Sequence, residues 1–285
     1  MRASLLDDRR VLEVAGADAR SFLHNVVTCS VEGLAAGAAR YGALLTPQGK
    51  IVTDFLLLGT EDGLLLDVPA VTLDELLKRL TLYRLRAKVT LAARDDLAVA
   101  VLWGDGAPPD LPQRFADPRL PALGWRAFVP RAEASRALAG AEPGAPAAWH
   151  AHRIALGIPE GGRDFVFADA FPHEADMDQL GGVDFRKGCY VGQEVVSRMQ
   201  HRGTARSRVV PVAIAGPAPE AGAEVTAGER PAGRMGSSAG DRGLALLRLD
   251  RAAGERLRAG ASELTPLQPG WARFRIEGAT PQEAS

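Results

Sequence analysis

Past Arg206 the chain loses its helical period, and this change of pattern limits the fold more than any other feature. Short β-rich pieces at 209–214, 224–226, 230–235, 244–248 and 271–276 alternate with Gly/Pro turns. Repeated short strands of this kind predict a small barrel or sandwich, in which closure or stacking removes exposed sheet edges. Before Arg206, helical and strand periods are mixed. A strand is predicted over 11–14, then a helix capped by Asp18 that carries Phe22, Leu23, Val26 and Val27. Strands over 41–45 and 51–58 flank a turn with Pro47 and Gly49, and a third follows over 64–68. Thr72, with Glu75 three residues on, reads as a capping box opening a helix with a stripe of Leu73, Leu76, Leu77 and Leu80. Further strands are predicted over 88–91, 97–103 and 125–129, and helices near 131–138 and over 147–156. A chain of 285 residues sits near the size at which single cores stop growing. We therefore expect an α+β region over 1–204 and an all-β domain over 205–285.

Composition removes several classes of function. A formal charge of -1 and a pI near 6.5 argue against a protein that coats nucleic acid or membrane by bulk charge. The N-terminus MRASLLDDRR carries charges where a signal peptide needs an apolar run, and no apolar stretch reaches membrane-spanning length. The expectation is a soluble, cytoplasmic protein with no membrane partner. Its two cysteines, Cys29 and Cys189, make no disulfide framework. Nor can one chain supply the four thiolates of a common iron–sulfur cluster, so no metal or cluster is expected on the single chain. The five histidines read as satisfied surface residues, since His150 and His152 are spaced i, i+2 on a predicted helix and do not share a face. No phosphate-binding Gly-Lys-Ser/Thr loop, no G-x-G-x-x-G and no G-x-S-x-G elbow is present.

The stretch that points to chemistry runs from Leu180 to Arg208 and contains KGCYVGQE. Cys189 lies there between cations and glycines, a setting that favours thiolate and makes sulfur a better nucleophile or ligand. Gly188 lets the backbone bend, and Gly192 can cap a helix over 193–199. A dyad with His201 is conceivable but lacks a third group. Cys29 has no such setting and is expected to be structural. Arg186, Lys187, Arg198, Arg202, Arg206 and Arg208 face only one acid, Glu194, across this stretch. Such an excess calls for an anion: the carboxylate tail of a ligand such as a folate, a phosphorylated ligand, or RNA. The competing account is pairing with carboxylates elsewhere, and Glu194 with Arg198 already offers an i,i+4 pair.

KGCYVGQE resembles the signature of the YgfZ family, relatives of the folate-binding T-protein of the glycine cleavage system. GADARSFLHNVVT (16–28), YGALLTPQGKIVTDF (41–55), RIALGIPEGGRDF (153–165) and PHEADMDQLGGVDF (172–185) are similar to that family in the same order. The resemblance implies a T-protein-like fold: interleaved α+β subdomains around a folate cavity, then a C-terminal β-barrel. It implies a tetrahydrofolate-binding accessory protein that supports iron–sulfur cluster assembly or repair in client enzymes, with Cys189 as the working thiol. Asp54 would face the pterin. Tyr41, Lys187, Gly188, Tyr190, Gln193, Glu194, Arg198 and Arg202 would shape the folate site, the arginines attracting its glutamate tail. Aminomethyltransferases carry two adjacent aspartates where this chain has Thr53-Asp54, and a glutamate near the place of Gly124-Trp125-Arg126 where it has no acid. They also lack the cysteine. Two alternatives therefore stay open: a folate-dependent one-carbon transferase, acting as an aminomethyltransferase or on tRNA bases, and a non-catalytic folate-binding module.

Overall fold

A computed structural model of the chain describes residues 1–203, 205–252 and 256–282. The described residues form two compact units, one of 1–149 with 180–193 and one of 150–179 with 194–285. The expected boundary falls on Thr204, outside the described residues.

The first unit holds two five-stranded sheets whose strands interleave along the chain. β1 (Arg2–Leu5) starts one sheet, and the chain then leaves it to build the other from β2 (Arg9–Ala15), β3 (Ala39–Leu45), β4 (Ile51–Gly59), β5 (Gly63–Pro69) and β6 (Thr90–Ala93). It returns through β7 (Leu97–Trp103), β8 (Arg114–Ala116), β9 (Trp125–Pro130) and β10 (Glu142–Pro143). The orders are β10-β1-β7-β9-β8 and β3-β4-β5-β2-β6. β4 and β5 are buried along their whole length, which explains their near-continuous apolar runs.

Two helices of this unit depart from their predicted caps. α1 (Ala19–His24) ends before Val26 and Val27, which are buried beyond it, and Asp18 makes no cap bond; its Oδ2 accepts the Lys88 N–H at 2.7 Å. α2 (Leu73–Arg84) buries Leu73, Leu76 and Leu80, but the capping box does not form. Thr72 Oγ1 instead bonds Thr53 Oγ1 at 2.7 Å and donates to the Pro69 carbonyl at 3.1 Å, while Glu75 takes Arg79 at 2.6 Å. Buried partners at Thr53 outcompete the local backbone for that hydroxyl. After the short α3 (Ala134–Ala137), α4 (Pro146–Ala155) follows its predicted span closely.

After α5 (Gln193–Arg202), the second unit closes a barrel from β11 (Ser207–Ala215), β12 (Glu224–Ala227), β13 (Arg230–Ala239), β14 (Arg242–Arg248), β15 (Leu257–Ala259) and β16 (Ser262–Gln268). The order β11-β14-β13-β12-β15-β16 returns to β11 through the β11–β16 pairing, so six strands form a closed barrel, and β17 (Thr280–Pro281) adds parallel to β16. The predicted strand over 271–276 is absent. Gln268 clamps that segment instead, its Nε2 donating to the Phe274 carbonyl at 3.0 Å and its Oε1 accepting the Ile276 N–H at 3.0 Å. The barrel takes β16 in its place, a strand hidden in the sequence by Pro266, which sits where β16 has run past the end of its pairing with β15.

Candidate functional site

Three of the sequence segments converge on the loop that carries Cys189. Thr28, at the end of the first segment, donates its hydroxyl to the Gly182 carbonyl at 2.6 Å, and accepts the Ala43 N–H from β3 at 2.9 Å. Its carbonyl takes the Asp184 N–H at 3.0 Å. Lys187 does not stand beside the thiol as a free cation. Its Nζ donates to the carbonyls of His24, of Val27 at 2.6 Å and of Cys29 at 3.1 Å, filling acceptors left open where α1 ends. Burial lowers the lysine to about 8. The same ammonium lies 5.2 Å from the centre of the Tyr190 ring.

Tyr190 is buried, and its hydroxyl has no hydrogen-bond partner among the described residues; burial pushes the phenol up to about 12. The Tyr190 ring, expected to help shape the folate site, is therefore inside the unit, beside Lys187. Gly192 has φ +79°, and a Cβ there would stand 2.5 Å from the Thr46 carbonyl oxygen, so only glycine lets the loop lie against the β3–β4 turn. Gly188 meets open space. Between these fixed points Cys189 is exposed. An accessible thiol can act as nucleophile, redox partner or one ligand of a shared metal centre. Cys29 is buried as expected, its thiol raised to about 12 chiefly by desolvation, with Gly42 leaving room for its sulfur.

Asp54 and Tyr41 come together: the Tyr41 hydroxyl donates to Asp54 Oδ2 at 3.1 Å, and both side chains are buried. Strand alternation places the neighbouring Thr53 on the opposite face, against Thr72. An aspartate at 53 would thus not stand beside Asp54. Sequence reasoning missed what surrounds this pair. Arg119 lies over the Tyr41 ring at 5.6 Å and forks onto Asp117 at 3.0 and 2.7 Å. Arg126 joins Asp117 at 3.2 Å to Asp67, which also holds Arg9 at 2.6 Å. Burial opposes ionisation of Asp117, but the two guanidiniums outweigh it and hold the carboxyl at about 2. The only hints were Asp67 within the apolar GLLLDVP and Arg126 within WRAFVP.

The remaining predicted residues separate. On α5, Glu194 pairs with Arg198 at 2.6 Å, as its spacing predicted, and Arg202 and His201 are exposed, while Gln193 begins the helix. Arg208 leaves the anion-seeking set: it is buried, with Asp176 and Asp178 each at 2.9 Å. The 153–165 segment is a structural lock, in which Arg153 binds Asp164 at 2.6 Å, Glu160 at 3.0 Å and Ser237 of the barrel at 2.7 Å. Three histidines expected at the surface are largely enclosed: His24 Nδ1 accepts the Val31 and Glu32 N–H groups at 3.3 and 3.2 Å, His150 lies 3.2 Å from Glu160, and buried His173 bonds Gln200 at 3.0 Å. Among the described residues no three His, Cys, Asp or Glu side chains gather as a metal site.

Most of the chain is similar to known proteins. Residues 206–274 match the family model described as the CAF17 C-terminal beta-barrel domain. The human protein named iron-sulfur cluster assembly factor IBA57, mitochondrial, is 35% identical over 272 residues, covering 85% of this chain and 76% of the relative. The mouse protein of the same name is 33% identical, covering 93% and 84%. An IBA57 homolog of Neurospora crassa is 36% identical, but this chain spans only 56% of its length. The glycine cleavage system aminomethyltransferase T of Bartonella henselae superposes with a TM-score of 0.78 at 16% identity, over 97% of this chain and 87% of that one, which shows a T-protein-like fold.

These relatives correct the expected location. They are named as mitochondrial proteins, so the cytoplasmic expectation is withdrawn. Free thiols suit any reducing compartment, and the charges of the first ten residues do not discriminate among them. Among the described residues no helix is long and apolar enough to cross a membrane. The YgfZ resemblance narrows accordingly: at this identity and coverage, the chain belongs to the IBA57 family of iron–sulfur cluster assembly factors.

Proposed function

We propose that this protein supports assembly or repair of iron–sulfur clusters in other proteins, presenting the Cys189 thiol to a partner that carries the cluster. The observation that carries this reading is the contrast within one loop: Lys187, Tyr190 and Gly192 are spent on anchoring it, and the thiol between them is left exposed. A single thiolate supplies one of the four ligands a common cluster takes, so the cluster is cargo shared with a client or assembly protein. The names of the relatives support that role.

Tetrahydrofolate belongs to the same proposal. A buried carboxylate held by a tyrosine hydroxyl, with a guanidinium over the ring, suits the amidine-like edge and flat face of a pterin, so Asp54, Tyr41 and Arg119 would hold it. One-carbon transfer at that carboxylate is the second reading, and the buried Asp54–Tyr41 pair is what favours it.

Two measurements test the proposal. Cells lacking the protein are complemented with wild type or Cys189→Ser, and the activity of cluster-dependent enzymes is assayed; full rescue by the variant removes the thiol from the mechanism. Calorimetric titration with tetrahydrofolate is run in parallel on wild type, Cys189→Ala and Asp54→Asn. Binding by the first two and loss by the third is the expected pattern, and no binding by folded wild type removes folate.

A further inference from the structure

Beside the signature loop lies a hollow of about 530 Å³, and Cys29, Ser30, Arg40, Asp184, Phe185 and Arg186 contribute to its wall. All six belong to the first compact unit. The size suits a small molecule. Its charge is not balanced internally. Arg9, Arg119, Arg126, Arg153 and Arg208 are buried and each pairs with a carboxylate. Arg40 and Arg186 are exposed, and among the described residues neither guanidinium has a carboxylate at ion-pair distance. Arg40 donates only to the carbonyl of Ala39 beside it, at 3.0 Å. Asp184 does not neutralise Arg186 by a side-chain bridge, because its Oδ1 accepts the Arg186 backbone N–H at 2.9 Å and so shapes the turn.

We propose that this hollow binds a small molecule carrying two oxyanion groups, carboxylate or phosphate, one for each guanidinium. A guanidinium fork matches either group by paired N–H donors, and two forks on one polar hollow select a ligand with two such groups. Ser30 adds a neutral hydroxyl, and Phe185 gives the ligand an apolar contact. A concave site on a chain of net charge -1 favours a small dianion over a nucleic acid, which needs an extended basic surface. The inference goes beyond the cluster role and does not rest on it, since Arg40 comes from β3 and neither Cys189 nor Asp54 is among the lining residues.

The test is titration of the full chain with pyrophosphate, citrate and diglutamate as two-oxyanion probes, and with inorganic phosphate and acetate as single-oxyanion probes. At least one of the first three is expected to bind with Kd below about 1 mM, about tenfold or more tighter than its single-oxyanion counterpart. Arg40→Gln and Arg186→Gln should each weaken that binding about tenfold, with Arg40→Lys intermediate because charge is kept and the fork lost. Thermal unfolding of each variant verifies that it is folded; both arginines are exposed and make few contacts. The pyrophosphate arm against the two carboxylate arms identifies the group recognised. Absence of binding at about 5 mM, binding unchanged by both substitutions, or no preference for two oxyanions over one overturns the proposal. None of those outcomes bears on the Cys189 complementation result.

Discussion

KGCYVGQE in the first unit and GIPEGGRD in the second are alike on paper: both are glycine-framed, charged loops, and both are similar to one family. Their physical roles are opposite. In the second, Arg153, Glu160 and Asp164 are all buried and satisfy one another, and a serine of the barrel completes the guanidinium's bonds. In the first, Tyr190 is buried and Lys187 and Gly192 are half-buried, but the thiol is exposed. A charged glycine loop is thus not a site by composition. What separates the two is whether the reactive group finds a partner inside the same unit, and Lys187 shows both behaviours meeting in one loop, since it is a lock residue two positions from an open thiol.

The largest expected effect comes from breaking the lock. Arg153→Met leaves Asp164 and Glu160 without their main counter-charge in a buried setting, and should cost about 3–5 kcal/mol in chemical denaturation. Cys189→Ser, an exposed exchange, should stay within about 0.5 kcal/mol. Equal losses for both would erase the distinction between lock and presenting loop.

A smaller effect separates the two glycines of the signature. Gly192→Ala requires a side chain at φ +79° with its Cβ 2.5 Å from a carbonyl oxygen, and should cost at least about 1–3 kcal/mol. Gly188→Ala meets nothing within 4 Å and has no left-handed φ, so it should be neutral or stabilise by about 0.4–1 kcal/mol through the unfolded chain. If denaturation midpoints show the reverse order, the loop is anchored elsewhere than at the β3–β4 turn.

Much of the fold was legible because period and turn residues act locally. β3, β4 and β5 were read nearly to their ends from apolar runs broken at Gly49 and Gly63. What failed had a distant cause: Thr72 went to Thr53, Gln268 clamped the segment over 271–276, and Pro266 was tolerated at a place in the barrel that no local pattern marks. For the site, the signature located Cys189 and the pairing of Glu194 with Arg198, since both follow from positions a few residues apart. The direction of Lys187 did not follow, because its three acceptors lie about 160 residues earlier in the chain. Arg9, Asp67, Arg126, Asp117 and Arg119 were missed for the same reason, each being ordinary in its own strand or turn and meaningful only across two sheets.

Lys187 offers a third test, read in pH. Burial lowers its ammonium from the ordinary lysine value to about 8. Between about pH 8 and 10.5 the unfolded chain keeps a proton that the folded chain has lost, so stability from this group is flat below 8 and rises with pH across that window. The difference in unfolding free energy between wild type and Lys187→Met, taken at pH 7, 8.5 and 10 so that other groups cancel, should move in favour of wild type as pH rises. A flat difference would mean that the ammonium is solvated rather than held on the carbonyls at the end of α1.

The smallest effect comes from the one ion pair that the sequence spacing located correctly. Glu194 and Arg198 meet at 2.6 Å, with 86% and 55% of their side chains exposed. Solvent screens such a pair, and ordering two long side chains offsets most of the attraction, so a double-mutant cycle with Glu194→Gln and Arg198→Gln should give about 0.5 kcal/mol or less. At about 0.5 M salt the coupling should vanish, whereas the loss caused by Arg153→Met should persist because solvent and salt do not reach that pair. A coupling at Glu194–Arg198 as large and as salt-resistant as the one at Arg153 would show that the helix following the signature is a second lock, and the open character of this loop would then reduce to Cys189 alone.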